Sequence, residues 1–244
     1  MAKTKKTAKK TAKKTSGKLW STIRKFMLRA FIFFVLYSIL SVVLFRWLPV
    51  RYTPLMFIRY IENIDNGDYR NVRKWKSLDE ISGYMVTAVI ASEDNMFLSH
   101  CGIDWDAMKK AMNQNRVRGT KIGASTITQQ TAKNVYLSPS RTWMRKGFEA
   151  YFAILIEFFW SKRRIMEVYL NIIEVGDGLY GVESAAQKYF KKPASKLTAY
   201  EAAQIASILP NPRIFNIKNP SRELITKQNK IRNQMRRMTT PTWE

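Results

Sequence analysis

The sequence predicts a mostly α-helical fold, in which one N-terminal transmembrane helix precedes a single helical domain. Three observations predict it. Residues 30–45 carry no charge and lie between Arg29 and Arg46. After Tyr52 the apolar residues recur with mainly helical spacing, and few segments alternate as strands do. Beyond a tail and a span, the chain of 244 residues is long enough for one domain with a hydrophobic core.

The chain begins with a tract of lysine, threonine and alanine. Residues 1–18 contain eight lysines, and no acidic residue occurs before Glu62. Such a low-complexity tract buries little apolar area, so we predict a disordered basic tail over residues 1–25. By itself the tract resembles a histone-type tail and suggests DNA binding. The apolar segment that follows favours a different role, as a topology signal attracted to anionic lipid.

Residues 26–48 are predicted to form a transmembrane anchor. They supply the ~20 residues that cross a bilayer, and Trp47 suits the membrane interface. A cleaved signal peptide is the alternative, but it needs a small-residue cleavage site, which "FRWLPVRY" does not offer. Because the lysines precede the span, the positive-inside rule predicts a cytoplasmic N-terminus and an outward-facing domain. Residues 49–74 are then a stalk, and residues 75–244 are the domain.

The formal net charge of +24 narrows the classes of partner. A basic surface attracts polyanions, such as nucleic acid, anionic lipid and phosphorylated substrates. A domain outside the cytoplasmic membrane does not meet chromosomal DNA, so we predict no nucleic-acid partner. The single cysteine, Cys101, excludes an intrachain disulfide and a cysteine-rich metal site. We interpret it as a packing residue rather than as a nucleophile.

Helix signals recur through the domain. Ser77 and Glu80 have the spacing of a capping box, and so do Thr198 and Glu201 before the apolar run "AAQIASIL". The segment "EAYFAILIEFFW" is too short for a second span and contains Glu157, so we predict a buried core helix there.

The first candidate for chemistry is the segment "VTAVIASEDNMFLSH". Glu93, Phe97 and His100 are spaced i, i+4 and i+7, which places them on one helix face, whereas Asp94 points elsewhere. A carboxylate that continues an apolar run is suited to proton transfer, which makes Glu93 a candidate catalytic residue. The alternative is a solvated helix end.

Asp104 and Asp106 follow in a D-x-D pattern, which holds a metal in some nucleotide-sugar enzymes. The simpler interpretation is that Asp104 caps the helix that begins with "WDAMKKAMNQN".

The segment "GASTITQQTAK" gathers small and hydrogen-bonding residues at one helix start. Gly123 followed by serine and threonine exposes backbone N–H groups that can receive a phosphate. A capped, solvated helix is the alternative, but it would favour glutamate and lysine over neutral threonine and glutamine. We therefore predict a polar groove along this segment.

Arg145 and Lys146 precede Glu149 by four and three residues, so all three side chains can meet on one helix face. They form either a cationic clamp for phosphate or a surface ion pair worth only about 0.3–0.5 kcal/mol. Further on, Glu167 lies in an amphipathic helix that ends near Asn171, and the glycine-rich turn "GDGLYG" follows.

Five segments, in this order, resemble those of one enzyme family. They are E-D-x-x-F-x-x-H-x-G-x-D at 93–104, G-x-S-T-I-T-Q-Q at 123–130, R-K-x-x-E at 145–149, I-M-E-x-Y-L-N at 165–171 and G-D-G-x-Y-G-V-E-x-A-A-x-x-Y-F at 176–190. The chain resembles the peptidoglycan glycosyltransferases of bacteria, specifically the monofunctional biosynthetic transglycosylases, and the glycosyltransferase domain of bifunctional penicillin-binding proteins.

The resemblance covers roughly residues 75–220, with two departures. Ala124 stands where many relatives have a second glycine, and Arg164 stands where many have an acid. Neither is expected to touch a residue assigned to chemistry.

The resemblance implies a reaction. The substrate is lipid II, a disaccharide-peptide on polyprenyl pyrophosphate, and Glu93 is the general base for an inverting attack by the acceptor sugar hydroxyl. Arg145, Lys146 and Lys133 neutralise the pyrophosphate, and Glu149, the second catalytic residue, positions these cations or a divalent ion. The residues expected to bind substrate or to support that site are Asp94, Phe97, His100, Ser125, Thr126, Gln130, Lys133, Arg145, Lys146 and Glu167.

The implied fold is a lysozyme-like α lobe with a smaller, mobile lobe that dips into the membrane. Our candidate for the dipping surface is the segment 105–117, with Trp105, Met108 and Met112 on one face.

The implied cofactor is at most a divalent cation, Mg²⁺ or Mn²⁺, whose ligands are not assigned, and no organic cofactor. The implied partners are lipid II, the growing glycan strand and membrane lipids, with other cell-wall synthesis proteins left open. The implied location is the bacterial cytoplasmic membrane. Two alternatives stay open: a glycan-cleaving enzyme on the same scaffold with Glu93 as general acid, and a non-catalytic cell-wall scaffold.

Overall fold

A computed structural model of the chain divides into two units, which we describe separately: Met1–Leu44 and Phe45–Glu244. The residues that the structure describes are 2–62, 74–119, 123–140 and 142–243.

The first unit contains most of helix α1 (Ala2–Phe45). Its part Trp20–Phe45 is long and apolar enough to cross a membrane, and no other helix in the described ranges is. This agrees with the predicted anchor. The structure differs from the predicted disorder of residues 1–25, because α1 begins at Ala2. Alanine and lysine have high helix propensity, so a helix can continue through the tract without burying apolar area.

The second unit is helical apart from one short hairpin. Its elements are α2 (Pro54–Glu62), a 3₁₀ turn (Leu78–Glu80), α3 (Gly83–Glu93), α4 (Trp105–Arg118), α5 (Ile127–Tyr136), α6 (Trp143–Phe159), α7 (Lys162–Ile172), β1 (Glu174–Gly176), β2 (Leu179–Tyr180), α8 (Val182–Ala185), a π-helical turn (Ala186–Phe190), a 3₁₀ turn (Ala194–Lys196), α9 (Ala199–Ile208) and α10 (Arg222–Met235). The two strands pair antiparallel. The predicted mostly α fold is confirmed.

Helix α3 is the centre of the core. Its residues Met85 to Ala91 are all buried, and it packs on α9 and α10. The sequence of α3 has no charged residue before Glu93, so the helix can be enclosed on every side and still end in a carboxylate. Helix α5 packs between α6 and α7 in the same way. The C-terminal end of α3 lies beside the N-terminal part of α5, where the Ile127 N–H and the Gln130 side chain donate to Asp94 and Glu93.

Both predicted capping boxes are present, but only one of them begins an α-helix. Thr198 caps α9, and the Glu201 carboxylate accepts from the Thr198 backbone N–H at 2.8 Å. Ser77 and Glu80 make the same kind of contact, at 3.0 Å, but enclose only a single 3₁₀ turn.

Two predictions about the outer elements need correction. The helix expected to be fully buried, α6, buries one face through Phe152 and Ile156, whereas Phe158 is exposed. The predicted stalk, residues 49–74, contains α2, whose Met56 is buried. Residues 63–73 of that stalk lie outside the described residues. An amphipathic helix needs only one apolar stripe against the core, which explains both cases.

Asn171 joins α7 to the segment before α3. Its side-chain amide donates to the Lys76 carbonyl at 2.7 Å, and its oxygen accepts from the Lys76 N–H at 2.9 Å. Glu167, one turn earlier, accepts from the Leu78 N–H at 3.1 Å. These side chains satisfy backbone groups that no regular element satisfies.

We therefore expect Asn171→Ala to lower the free energy of unfolding by about 2 kcal/mol or more. The substitution leaves both the N–H and the carbonyl of Lys76 without their hydrogen-bond partner. Chemical denaturation of the full chain in detergent measures the change. Asn229→Ala, at an exposed position of α10, is the matched control and should stay within about 0.5 kcal/mol of the parent. Equal stability of the two variants would contradict this assignment.

Candidate active site

An open groove of about 840 Å³ lies at the end of α3. Its walls come from the end of α3, the loop that follows it, α4 and the segment before α5. They comprise residues 92–96, 99–101, 103–107, 110, 111, 114 and 123–126. The predicted polar groove is therefore present, and Glu93 lies in its wall.

Glu93 is the last residue of α3, and one of its oxygens is held. Gln130 Nε2 donates to Glu93 Oε2 at 3.0 Å. Gln130 Oε1 in turn accepts from the Tyr169 hydroxyl at 3.1 Å, which fixes the direction of the amide. Within the described part of the chain, the buried Glu93 Oε1 has no hydrogen-bond partner. That oxygen is available to accept a proton.

Tyr169 stays a donor in this chain of hydrogen bonds. The residue is fully buried. Burial raises the pKa of Tyr169 well above its usual value, and the negative charges of Glu93 and Asp94 raise it further. The phenol therefore keeps its proton and orients Gln130.

The predicted helical face of Glu93, Phe97 and His100 is wrong, because α3 ends at Glu93. Asp94 turns inward instead. Its oxygens lie 2.9 and 3.0 Å from His100 Nε2, and one of them accepts from the Ile127 N–H at 2.9 Å. Because His100 Nδ1 accepts from the Gly102 N–H, the imidazole proton lies on Nε2 and faces Asp94. Asp94 and His100 thus support the groove from inside the loop.

Phe97 does not reach the groove, although it was predicted to contact substrate. It is fully buried, with its ring edge-on to His100 and the Lys162 ammonium 4.7 Å from its centroid. Once α3 ends, the loop turns this apolar side chain into the core. Its role is packing.

The start of α5 is already capped, which corrects the predicted phosphate-binding N–H groups. The Ile127 N–H donates to Asp94, and the Gln129 N–H donates to Thr126 Oγ1 at 3.1 Å. Thr126 also donates to the Gly102 carbonyl at 2.6 Å, so its hydroxyl proton is already used. The N–H groups of Ile127 and Gln129 are therefore already used within the protein.

The predicted cationic cluster is present on α6. Arg145 Nη1 donates to Glu149 Oε2 at 2.6 Å, and Lys146 Nζ donates to Glu149 Oε1 and to Ser125 Oγ, the latter at 2.9 Å. Glu149 is 2% exposed, so this is a buried carboxylate and not a surface pair. The two cations outnumber it, which leaves a local excess of positive charge.

Lys133 links this cluster to Glu93. It lies one turn after Gln130 on α5. Burial lowers the pKa of Lys133, and the cations Arg145 and Lys146 lower it further, whereas Glu149 and Glu93 raise it. Lys133 is therefore within electrostatic reach of both carboxylates.

The described residues do not fit a resident metal ion. None of them form a group of three or more histidine, cysteine, aspartate or glutamate side chains that could hold one. Both oxygens of Glu149 are taken by Arg145 and Lys146. Asp104 caps α4, as predicted, by accepting from the Ala107 N–H at 2.8 Å.

Glu167 is not brought to the groove. Its carboxylate binds the Leu78 N–H and the guanidinium of Arg164. Arg164, which was not expected to touch an assigned residue, also donates to the carbonyls of Phe45 and Leu48, at 3.0 and 2.5 Å. These contacts give Glu167 a structural role instead of the predicted substrate-binding role.

Two residues near Glu93 were missed in the sequence. Tyr169 lies inside one of the five motifs, and its motif was the signal that could have found it. Lys227 of α10 has no such signal. Burial lowers the pKa of Lys227, whereas Glu93 and Glu223 raise it, so this lysine lies close enough to Glu93 to feel its charge.

Comparison with known proteins identifies the family. Residues 59–236 match the family described as "Transglycosylase". The chain is 50% identical to the "Biosynthetic peptidoglycan transglycosylase" of Bdellovibrio bacteriovorus, over 88% of this chain and 87% of that protein. The identity to the protein of the same description from Bacteroides thetaiotaomicron is 51%, over 82% and 81%. For the one from Pasteurella multocida it is 42%, over 96% and 95%. The chain therefore belongs to the transglycosylase family, as a peptidoglycan transglycosylase.

Proposed function

We propose that this transglycosylase polymerises lipid II into glycan strands and releases polyprenyl pyrophosphate. The proposal rests on one observation: helix α5 supplies a residue that contacts the candidate base and a residue close to the cations. Its Gln130 holds Glu93, and its Lys133 lies within electrostatic reach of Glu93 and of Glu149. A base and a cluster of cations are what transfer of a sugar from a pyrophosphate requires.

Glu93 acts as the general base. The acceptor hydroxyl of lipid II loses its proton to Glu93 Oε1 while its oxygen attacks the anomeric carbon of the growing strand. The bond between that carbon and the pyrophosphate oxygen breaks, and its electron pair leaves with the pyrophosphate. A single displacement inverts the configuration at the anomeric carbon. Gln130 keeps Oε2 occupied, so that the carboxylate presents its free oxygen.

The cations serve the leaving group. The negative charge of the leaving pyrophosphate needs to be neutralised more than the group needs a proton. That positive charge comes from Arg145, Lys146 and Lys133. Glu149 fixes the first two in place through both of its oxygens. Ser125, which accepts from Lys146, places the same ammonium at the groove wall.

The membrane supplies the substrate. The span in α1 anchors the chain, and its lysine-rich start favours a cytoplasmic N-terminus with the groove on the outer side. Trp105 and Met112 of α4 are exposed apolar residues beside the groove, and they suit contact with the bilayer that holds the lipid chain.

Glu93→Gln tests the function. Removing the base should reduce the rate of polymer formation from purified lipid II by about 10²–10⁴-fold. Electrophoresis of radiolabelled product measures it. Glu62→Gln, the same change at an exposed position of α2, should stay within about twofold of the parent.

Three outcomes would contradict the proposal. A parent protein that forms no polymer removes the activity, and a Glu93→Gln variant that polymerises normally removes the base. Shortening of preformed strands by the parent would favour the glycan-cleaving alternative.

The lowered pKa of Lys133 predicts a pH dependence. A lysine with a lowered pKa loses its positive charge at a lower pH than an ordinary lysine, so kcat/KM should fall as pH rises through that pKa. Lys133→Arg keeps the charge to higher pH and should move this alkaline decline upward. Rate profiles against pH check it, with the exposed Lys188→Arg as control. An alkaline decline at the same pH in the parent and in Lys133→Arg would show that Lys133 is not the titrating group.

A further inference from the structure

The ion pair between Lys162 and Glu157 lies close to the groove but does not line it. Lys162, the first residue of α7, donates from Nζ to Glu157 Oε1 at 2.6 Å and to the His100 carbonyl at 2.7 Å. The same ammonium lies over the Phe97 ring. Neither Lys162 nor Glu157 lines the groove. The pair therefore contacts the loop after Glu93 without lining the groove.

Glu157 connects this pair to α5. Its Oε1 also accepts from the Thr128 hydroxyl at 2.6 Å. Thr128 lies two residues before Gln130, the residue that holds Glu93. One carboxylate oxygen thus receives a cation from α7 and a hydroxyl from α5.

The loop is shaped to fit this pair. Gly102 has φ +84°, a conformation that favours glycine, and a Cβ there would lie 2.7 Å from Glu157 Cγ. Thr126 holds the Gly102 carbonyl, and Asp94 at the other end of the loop holds the Ile127 N–H. Both ends of the loop 94–102 are therefore held by the start of α5, and Lys162 holds the loop between them, at the His100 carbonyl and the Phe97 ring.

We propose that Lys162 and Glu157 are positioning residues for the catalytic base. They fix the loop 94–102 and the first turn of α5 against each other, and thereby fix Glu93, which lies where the loop leaves α3 and where Gln130 of α5 reaches it. The inference rests on the proposed function of Glu93.

The neighbouring ion pair shows what distinguishes this one. Arg163 contacts Asp79 at 2.6 Å, but the side chains are 36% and 79% exposed and bind no functional segment. The side chains of Lys162 and Glu157 are 21% and 11% exposed, and each makes further hydrogen bonds. Loss of a partner at an enclosed pair leaves the other charge and the backbone groups unsatisfied, so the loop should move. The same loss at the exposed pair should change little.

The experiment compares the full-length parent with Lys162→Met, Lys162→Arg, Glu157→Gln and, as matched control, Arg163→Met. Polymerisation of lipid II gives kcat and KM, and thermal unfolding gives Tm. Hydrogen exchange of residues 94–102 reports the loop without reference to activity. We expect Lys162→Met to lose about tenfold or more in kcat with a smaller change in KM, and to exchange about fivefold faster in the loop. Lys162→Arg, which keeps the charge and the donors, should recover most of the loss, and Arg163→Met should match the parent.

Several results would overturn the proposal. They are a kcat of Lys162→Met within about twofold of the parent, unchanged exchange of the loop, or an activity loss that disappears when each variant is assayed at the same interval below its Tm. If Lys162→Met does not fold, Glu157→Gln is judged by the same criteria, and failure of both to fold would assign the pair to stability instead. Inactivity of the parent and of Arg163→Met would contradict the proposed function itself, whereas an unaffected Lys162→Met beside an active parent contradicts only the positioning role.

Discussion

The hydrogen bond from Gln130 to Glu93 is the contact on which the candidate site depends. It joins the end of α3 to the second turn of α5, and it leaves one carboxylate oxygen buried without a partner in the described structure. Such an oxygen is costly to stability, and proteins keep such groups where a ligand completes them. Helix α3 has no charged residue before Glu93, so it can be buried in the core and still end in a carboxylate. The core therefore delivers the carboxylate to the groove.

The charged residues of the site are also arranged around one buried carboxylate. In a chain with net charge +24, the buried Glu149 is placed against two cations and does not cancel them. The result is a fixed positive cluster, and Lys133 extends it along α5 toward Glu93. Preorganised cations of this kind stabilise negative charge that develops on a leaving group. Helix α5 thus carries one residue that holds Glu93 and one that lies near the cations.

What the sequence predicted well was local. The Asp104 cap and the Arg145–Lys146–Glu149 cluster each depend on residues within one helical turn, and both are found. What it missed depends on where an element ends or on distant contacts. Phe97 and His100 were placed on a helix that stops at Glu93, and Lys227 approaches Glu93 from α10. Neither fact has a local signal.

The most direct test of this account is a double-mutant cycle on the hydrogen bonds behind the base. Single-turnover polymerisation rates are measured for the parent, Gln130→Leu, Tyr169→Phe and the double variant. Because the Tyr169 hydroxyl donates to Gln130, and no hydrogen bond joins it to Glu93 among the described residues, the account predicts that Gln130→Leu is slower than the parent and that the double variant is no slower than Gln130→Leu alone. A Gln130→Leu variant as fast as the parent would contradict the claim that Gln130 positions the base, and losses that multiply would contradict the claim that Tyr169 acts through Gln130.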